Sequence, residues 1–354
     1  MTDMRKITNG VILGGVALTL LACTKTEIRE TIEERMISQK VDTVKVVDNY
    51  FLDDCVERTV ADLDGKRSLQ TVNLYLDGDE LYVANPGGNS VEVFDAKDMK
   101  LLRSISHNGN TPARDIYANG EHLFVAAGNN REVQIFNKHT GEYLTRLGNG
   151  VYYGEVSWAG CVAATERFVF VRDSKATSVR VFDRQTISTQ QANNNTHFAL
   201  LQTGKHFIGS EVEPQSGSYD MEIIGDSLYA FVYAAGTIYS WALDDIENKK
   251  DATPTTESVL ENMKVFSVSK PQNDKLFVAM EKDGTMQIAE FPVKDFQRRD
   301  FSSPLRQIAV GGVRMPSQPM IAYKDEHLFL SNAERVERWE IHNNPSYVIR
   351  PAEN

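Results

Sequence analysis

Nowhere in the chain do about 18 apolar residues follow one another, so no segment has the length of a membrane-spanning helix. Positive charge is also in short supply. Lys and Arg number 38 against 49 Asp and Glu, a formal net charge of −11. No basic stripe with interleaved aromatics interrupts that balance, which disfavours nucleic acid as a partner, because phosphate backbones need local positive charge. Seven histidines show none of the spacings of a zinc site. The Gly-Gly pairs at 87–88 and 311–312 lack the strand-glycine-helix context of a phosphate cradle and read as turns. Only three cysteines occur, and no signature of a thiol nucleophile surrounds Cys55 or Cys161.

What is present is a repeat. Six short apolar runs, beginning at Leu81, Leu123, Phe168, Leu228, Leu276 and Leu328, are each followed by a second run beginning at Val91, Val133, Val179, Ile238, Met286 and Val336. The offset within a pair stays at 8 to 11 residues, whereas successive pairs start 42 to 60 residues apart. A fixed offset with drifting connections describes an antiparallel hairpin. Turn formers such as Pro86-Gly87-Gly88-Asn89 and Asp283-Gly284 lie between the runs. Each first run is continuously apolar, as in a strand covered on both faces. The second runs place Glu92, Gln134, Arg180, Gln287 and Glu337 at their second position, an alternation that predicts a half-buried strand.

An isolated hairpin of this length is not stable in water, so the copies must stack. A period near 40 to 50 residues leaves room for four strands per unit. The predicted fold class is all-β, a single β-propeller of six four-stranded blades. A seventh blade stays open, because the 60-residue step between the third and fourth units contains His206-Phe207-Ile208-Gly209-Ser210. Closure of the ring is expected to pair Val44–Val47 or the 69–76 region with Tyr347–Ile349.

Leu81-Tyr82-Val83-Ala84-Asn85 through Ser90-Val91-Glu92-Val93-Phe94-Asp95 resembles the YVTN-type propeller repeat. Thr111-Pro112-Ala113-Arg114-Asp115-Ile116, with the strands that follow it as far as Leu144, is similar to an NHL-type blade. The resemblance is strongest over residues 70–150 and implies fold alone, since such propellers include binding proteins and enzymes. The calcium-binding lactonases among them use carboxylate and amide groups in the central cavity. No matching set is evident in the sequence.

The N-terminus carries a second signal. Arg5 and Lys6 precede an apolar stretch from Val11 to Leu21 that ends in Leu20-Leu21-Ala22-Cys23. The stretch fits a cleavable signal, and its end resembles the bacterial lipoprotein lipobox, in which the cysteine is acylated. The expected organisation is a signal peptide over 1–22, lipidated Cys23 with a polar tether to residue 42, and a propeller over 43–354. Lipids would then tether the chain to a membrane of the bacterial cell envelope without inserting it. Thr24, where an aspartate is absent, favours the outer membrane. An oxidising compartment permits a Cys55–Cys161 disulfide, and two buried free thiols fit equally well.

Loops entering the innermost strands form one face of a propeller. The candidate binding residues there are Arg114 and Asp115 in the second unit, Trp158 in the third, Tyr219 and Asp220 in the fourth and Arg314 in the sixth. Arg114 and Asp115 have an alternative reading as bridges between blades, and Trp158 as core. His122 and His327 share one place in two units and read as turn residues. Two functions remain: a non-catalytic module that binds a protein, glycan or envelope component without a cofactor, and a lactonase-like hydrolase, for which Ca2+ would be expected. Polar groups converging on the channel distinguish them.

Overall fold

The computed structural model describes most residues between 73 and 341, together with short strands at Lys45–Val46, Asp48–Phe51, Val56–Val60 and Tyr347–Val348. Its strands form six blades around one axis. Blade 1 is Leu74–Asp77, Glu80–Asn85, Ser90–Asp95 and Leu101–Ser106, and blade 2 is Ala113–Asn119, His122–Ala127, Glu132–Asn137 and Tyr143–Leu147. Blade 3 is Ala159–Ala164, Phe168–Asp173, Ser178–Asp183 and Ala199–Gln202, with the two-residue strand Asp251–Ala252 parallel at its outer edge; blade 4 is Tyr219–Ile224, Ser227–Val232, Thr237–Ala242 and Thr256–Val259. Blade 5 is Met263–Val268, Lys275–Lys282, Thr285–Pro292 and Arg306–Ala309, with the N-terminal strand Asp48–Phe51 added parallel at its outer edge. Blade 6 takes Met320–Lys324, His327–Asn332 and Arg335–Ile341 from the C-terminal part of the chain and Val56–Val60 from the N-terminal part.

The first strand of each blade touches the first strands of its two neighbours, so these six strands line the axis. The repeated apolar runs are the second strands. Leu81, Leu123, Leu228, Leu276 and Leu328 are all fully buried, packed into clusters that fill the gaps between blades. The turns joining first to second strands have the geometry that right-twisted hairpins require. Gly78, Gly120 and Gly225 supply a positive φ in blades 1, 2 and 4, and Asp325-Glu326 supply two in succession in blade 6.

The ring closes differently from the sequence expectation. Lys45–Val46 does pair with Tyr347–Val348, but as a two-stranded sheet outside the blades. The 69–76 region contributes Leu74–Asp77, the innermost strand of blade 1. The closing strand is Val56–Val60, which pairs antiparallel with Arg335–Ile341. It has no apolar run to mark it, because the outermost strand of a blade has least to bury. The long step between the third and fourth units supplies Ala199–Gln202, the outer strand of blade 3. His206–Ser210 lies outside the described residues, and the described strands form six blades.

A second correction concerns the third strands. Glu92, Gln134, Arg180, Gln287 and Glu337 are all buried, although the alternation predicted strands with one wet face. That rule assumes a sheet with solvent on one side; a blade is covered by neighbours on both. The buried polar groups find partners inside. Glu92 accepts Ser90 Oγ at 2.7 Å and Asn85 Nδ2 at 3.3 Å as well as the Ser104 hydroxyl, and Glu337 accepts Trp339 Nε1 at 2.8 Å.

Candidate functional site

The inner strands carry one position at which their chemistry differs from blade to blade. Hydrogen bonds between neighbouring blades define it. Asp115 Oδ2 in blade 2 accepts the backbone N–H of Val162 in blade 3 at 2.7 Å. Asp220 Oδ2 in blade 4 accepts that of Val268 in blade 5 at 3.4 Å, and Ser267 Oγ in blade 5 accepts that of Ile321 in blade 6 at 3.3 Å. The position therefore holds Asp115, Asp220 and Ser267, and Cys161 and Met320 take the same place ahead of the donors Val162 and Ile321. In blade 1 it is Asn73, whose amide donates to Asp115 Oδ1. Kinks in the first strands at Ala113/Asp115, Ala159/Cys161 and Val265/Ser267 keep these groups in one layer, since a bulge re-aims the residue that follows it.

Two residues further along the strands lies a second layer, as the period of a strand requires. It contains Tyr75, Tyr117 and Glu222. Tyr117 Oη donates to Glu222 Oε1 at 3.1 Å, and the Tyr75 and Tyr117 ring centroids stand 4.3 Å apart. Beyond them, Lys270 Nζ lies 4.2 Å from the centre of the Tyr75 ring and 5.7 Å from that of Tyr117. The two layers bound a channel cavity of ≈ 210 Å³, lined by Asn73, Tyr75, Asp115, Tyr117, Asp220, Glu222, Ser267 and Lys270 among others. Gly78 and Pro271, both exposed, also line it, so the cavity reaches solvent on the face bearing the turns from first to second strands.

Electrostatics in the cavity follow from burial. Desolvation pushes Asp115 up to about 7, against the pull of the Val162 and Ile116 N–H groups. Asp220 is raised well above the usual carboxylate range by burial and by the nearby Asp115 and Glu222 charges. Burial raises Glu222 too, and Lys270 offsets part of the rise. Both tyrosines are pushed up by burial and by Glu222. Cys161, wholly buried with a free thiol, is raised by burial and by Asp115, the behaviour of a core thiol and not of a nucleophile.

The sequence candidates divide accordingly. Asp115 and Asp220 are brought together in the cavity, and Asp115 bridges blades 2 and 3. Arg114, exposed at the bulge, does not line the cavity. Tyr219 opens the first strand of blade 4, opposite Val232. Trp158, Arg314, Cys55 and Cys23 lie outside the described residues. Asn73, Tyr75, Tyr117, Glu222 and Lys270 were not singled out from sequence. A signal for the first layer does exist: Asn73, Asp115 and Asp220 each stand eight residues before the apolar run of their unit.

A band of ion pairs and hydrogen bonds knits the turn face. Lys138 of blade 2 meets Asp77 of blade 1 at 2.8 Å. Arg184 of blade 3 reaches Asn119 at 2.6 Å and His122 Nδ1 at 2.9 Å in blade 2, so His122 serves the turn. Lys324 of blade 6 meets Gly78 O at 2.9 Å and Asp79 at 2.5 Å in blade 1.

Architecture and channel together define the class: the chain is an all-β, six-bladed β-propeller with a polar channel. Its fold is similar to the β-propeller domain of Myceliophteria thermophila Cps50 (Swd1), with a TM-score of 0.50 and 11% identity over 81% of this chain and 100% of that one. The computationally designed protein Ika8 (TM-score 0.42, 12% identity, 77% of this chain and 71% of that one) and Chaetomium thermophilum Raptor (0.48, 11%, 75% and 22%) also match, too distantly to support any argument. At such identities the likeness is one of fold. Neither a protein-family model nor a curated protein matches the chain.

Proposed function

We propose that this propeller is a lipid-anchored, extracytoplasmic binding or scaffold module of a bacterial cell envelope, held through Cys23 at the outer membrane and built from blades of the NHL or YVTN type. A propeller suits binding because its rigid ring presents loops on two faces. The observation that carries the non-catalytic reading is that the channel carboxylates already serve the ring: Asp115 accepts two backbone N–H groups and Asn73, Asp220 accepts Val268, and Glu222 accepts Ile223 and Tyr117. The anchor reading rests on Leu20-Leu21-Ala22-Cys23 at the end of the apolar stretch from Val11 to Leu21.

A lactonase-like reaction would bring calcium, held by carboxylate and amide oxygens at the channel. Among the described residues, no three His, Cys, Asp or Glu side chains stand within reach of one ion. We therefore derive no reaction. Two experiments test the proposal. Membrane fractionation of Cys23→Ala should release the chain into the soluble fraction, and retention in the membrane overturns the anchor. Pull-down from solubilised envelopes with the lipidated protein should retain a protein or glycan; lactone turnover by the purified chain would replace the binding reading with the enzymatic one.

A further inference from the structure

We infer that the channel of this propeller binds a small organic ammonium ion, held against the Tyr75 and Tyr117 rings and the Glu222 carboxylate. This goes beyond the envelope-binding reading and does not depend on it. Space is the first argument. A cavity of ≈ 210 Å³ corresponds to about seven waters, enough for a small amine and too little for a folded partner.

Charge is the second. Asp77 and Lys324, both in the lining, are committed to Lys138 and Asp79 on the turn face. That leaves three carboxyl groups, Asp115, Asp220 and Glu222, beside a single base, Lys270. Burial holds back their ionisation; a cation entering the channel favours their charged form, and an anion opposes it. The third argument is an open valence: the Tyr75 hydroxyl is buried in the cavity wall, close enough to Tyr117 to influence its ionisation, yet it makes no hydrogen bond of ordinary geometry. Buried polar atoms without a partner are uncommon, and an unfilled ligand place is one physical reason for them.

The fourth argument is a resident analogue. Lys270 already lays its own ammonium over Tyr75, so the rings accept an alkylammonium in the manner of aromatic cation sites. Lys270 follows the first strand of blade 5 on a half-buried, four-carbon stem. Such a stem swings readily to solvent, and an incoming amine can take over its ring face while donating to Tyr75 Oη and Glu222.

Calorimetric titration of the full chain tests this with matched five-carbon probes. 1,5-Diaminopentane should bind, 1,5-pentanediol should bind at least about tenfold more weakly for want of charge, and glutarate should give no heat. Lys270→Met should tighten diamine binding by about three- to tenfold, because it removes the internal competitor; a merely structural Lys270 predicts no such gain. Glu222→Gln, checked for an unchanged melting temperature, should weaken it about tenfold. Equal binding of diol and diamine points to a polyol or sugar ligand and overturns the proposal. Unchanged or weaker diamine binding in Lys270→Met, or no diamine binding at millimolar concentration, also overturns it. None of these readouts involves Cys23 or an envelope partner, so the two readings fail separately.

Discussion

Second strands and first strands follow opposite rules in this propeller. The second strands repeat one theme, from Leu81-Tyr82-Val83-Ala84 to Leu328-Phe329-Leu330-Ser331, and nearly every one of those side chains is buried against a neighbouring blade. The first strands place Asn73, Asp115, Cys161, Asp220, Ser267 and Met320 at a single layer. Repetition marks the places where the ring must be the same at every step, namely the faces between blades. Divergence marks the axis, where all six blades contribute to one shared space. A group changed in a second strand is a matter of packing; the same change at the axis alters what that space can hold.

The largest way to break this comparison is to remove the closing strand. A chain beginning at residue 61 loses Val56–Val60, together with the edge strands Asp48–Phe51 and Lys45–Val46, and leaves Arg335–Ile341 as an open edge, so circular dichroism should show no cooperative thermal transition. Deleting 345–354 removes, among the described strands, the small sheet with Lys45–Val46 and should leave a cooperative transition at a lower temperature. An intact transition in the chain lacking 1–60 would show that the blades stand without closure.

Next in size is a packing deletion. Phe124→Ala, in the second strand of blade 2 and fully buried, should cost about 3–5 kcal/mol in denaturant unfolding. At the axis, Asp115→Leu leaves the Val162 N–H without its acceptor and should cost about 1–3 kcal/mol, whereas Asp115→Asn keeps an acceptor and should cost less. A loss in Asp115→Leu as large as that in Phe124→Ala would erase the distinction between scaffold and axis.

The same aspartate gives a pH test. Burial pushes the Asp115 carboxyl up to about 7 in the folded chain, against about 3.9 when unfolded. The folded state then binds more protons than the unfolded one between those values, so this group's contribution is full below pH 4 and is lost as pH rises through 7. Asp220 and Glu222 are raised in the same sense. Asp115→Asn should therefore flatten the fall in stability between pH 4 and 7 relative to the unaltered chain. Identical slopes would remove Asp115 from the titration.

The smallest expected effect is on the turn face. Arg103 grips Glu80 at 2.5 and 2.7 Å and Lys138 O at 2.7 Å, but the pair is partly exposed. A double-mutant cycle on Arg103 and Glu80 should give about 1 kcal/mol or less of coupling.

Much of the fold was legible because Leu123-Phe124-Val125-Ala126 and its relatives repeat at a fixed hairpin offset, and that offset survives drifting loops. The closing strand was not, since Val56–Val60 lies in no repeat and pairs with residues some 280 positions away. Glu92 and Gln134 misled for a different reason: alternation reports whether a face is apolar, and a blade can bury polar groups that bond to one another. At the axis, Asp115 and Asp220 were visible as polar groups on the approach to the inner strands. Tyr75, Tyr117 and Lys270 were not, because aromatic residues in β-strands are ordinary, and only the ring brings blades 1, 2 and 5 to one point.

The N-terminal origin of that closing strand has a consequence in time. Val56–Val60 leaves the ribosome some 280 residues before its partner Arg335–Ile341, so the ring cannot close until that partner has been made. Until then, blade 6 is an unfilled place and the molecule carries a pair of unsatisfied strand edges, a long-range contact that is slow to form. Closure is thereby written into the architecture as a checkpoint: only a chain made past Ile341 has both halves of the lock.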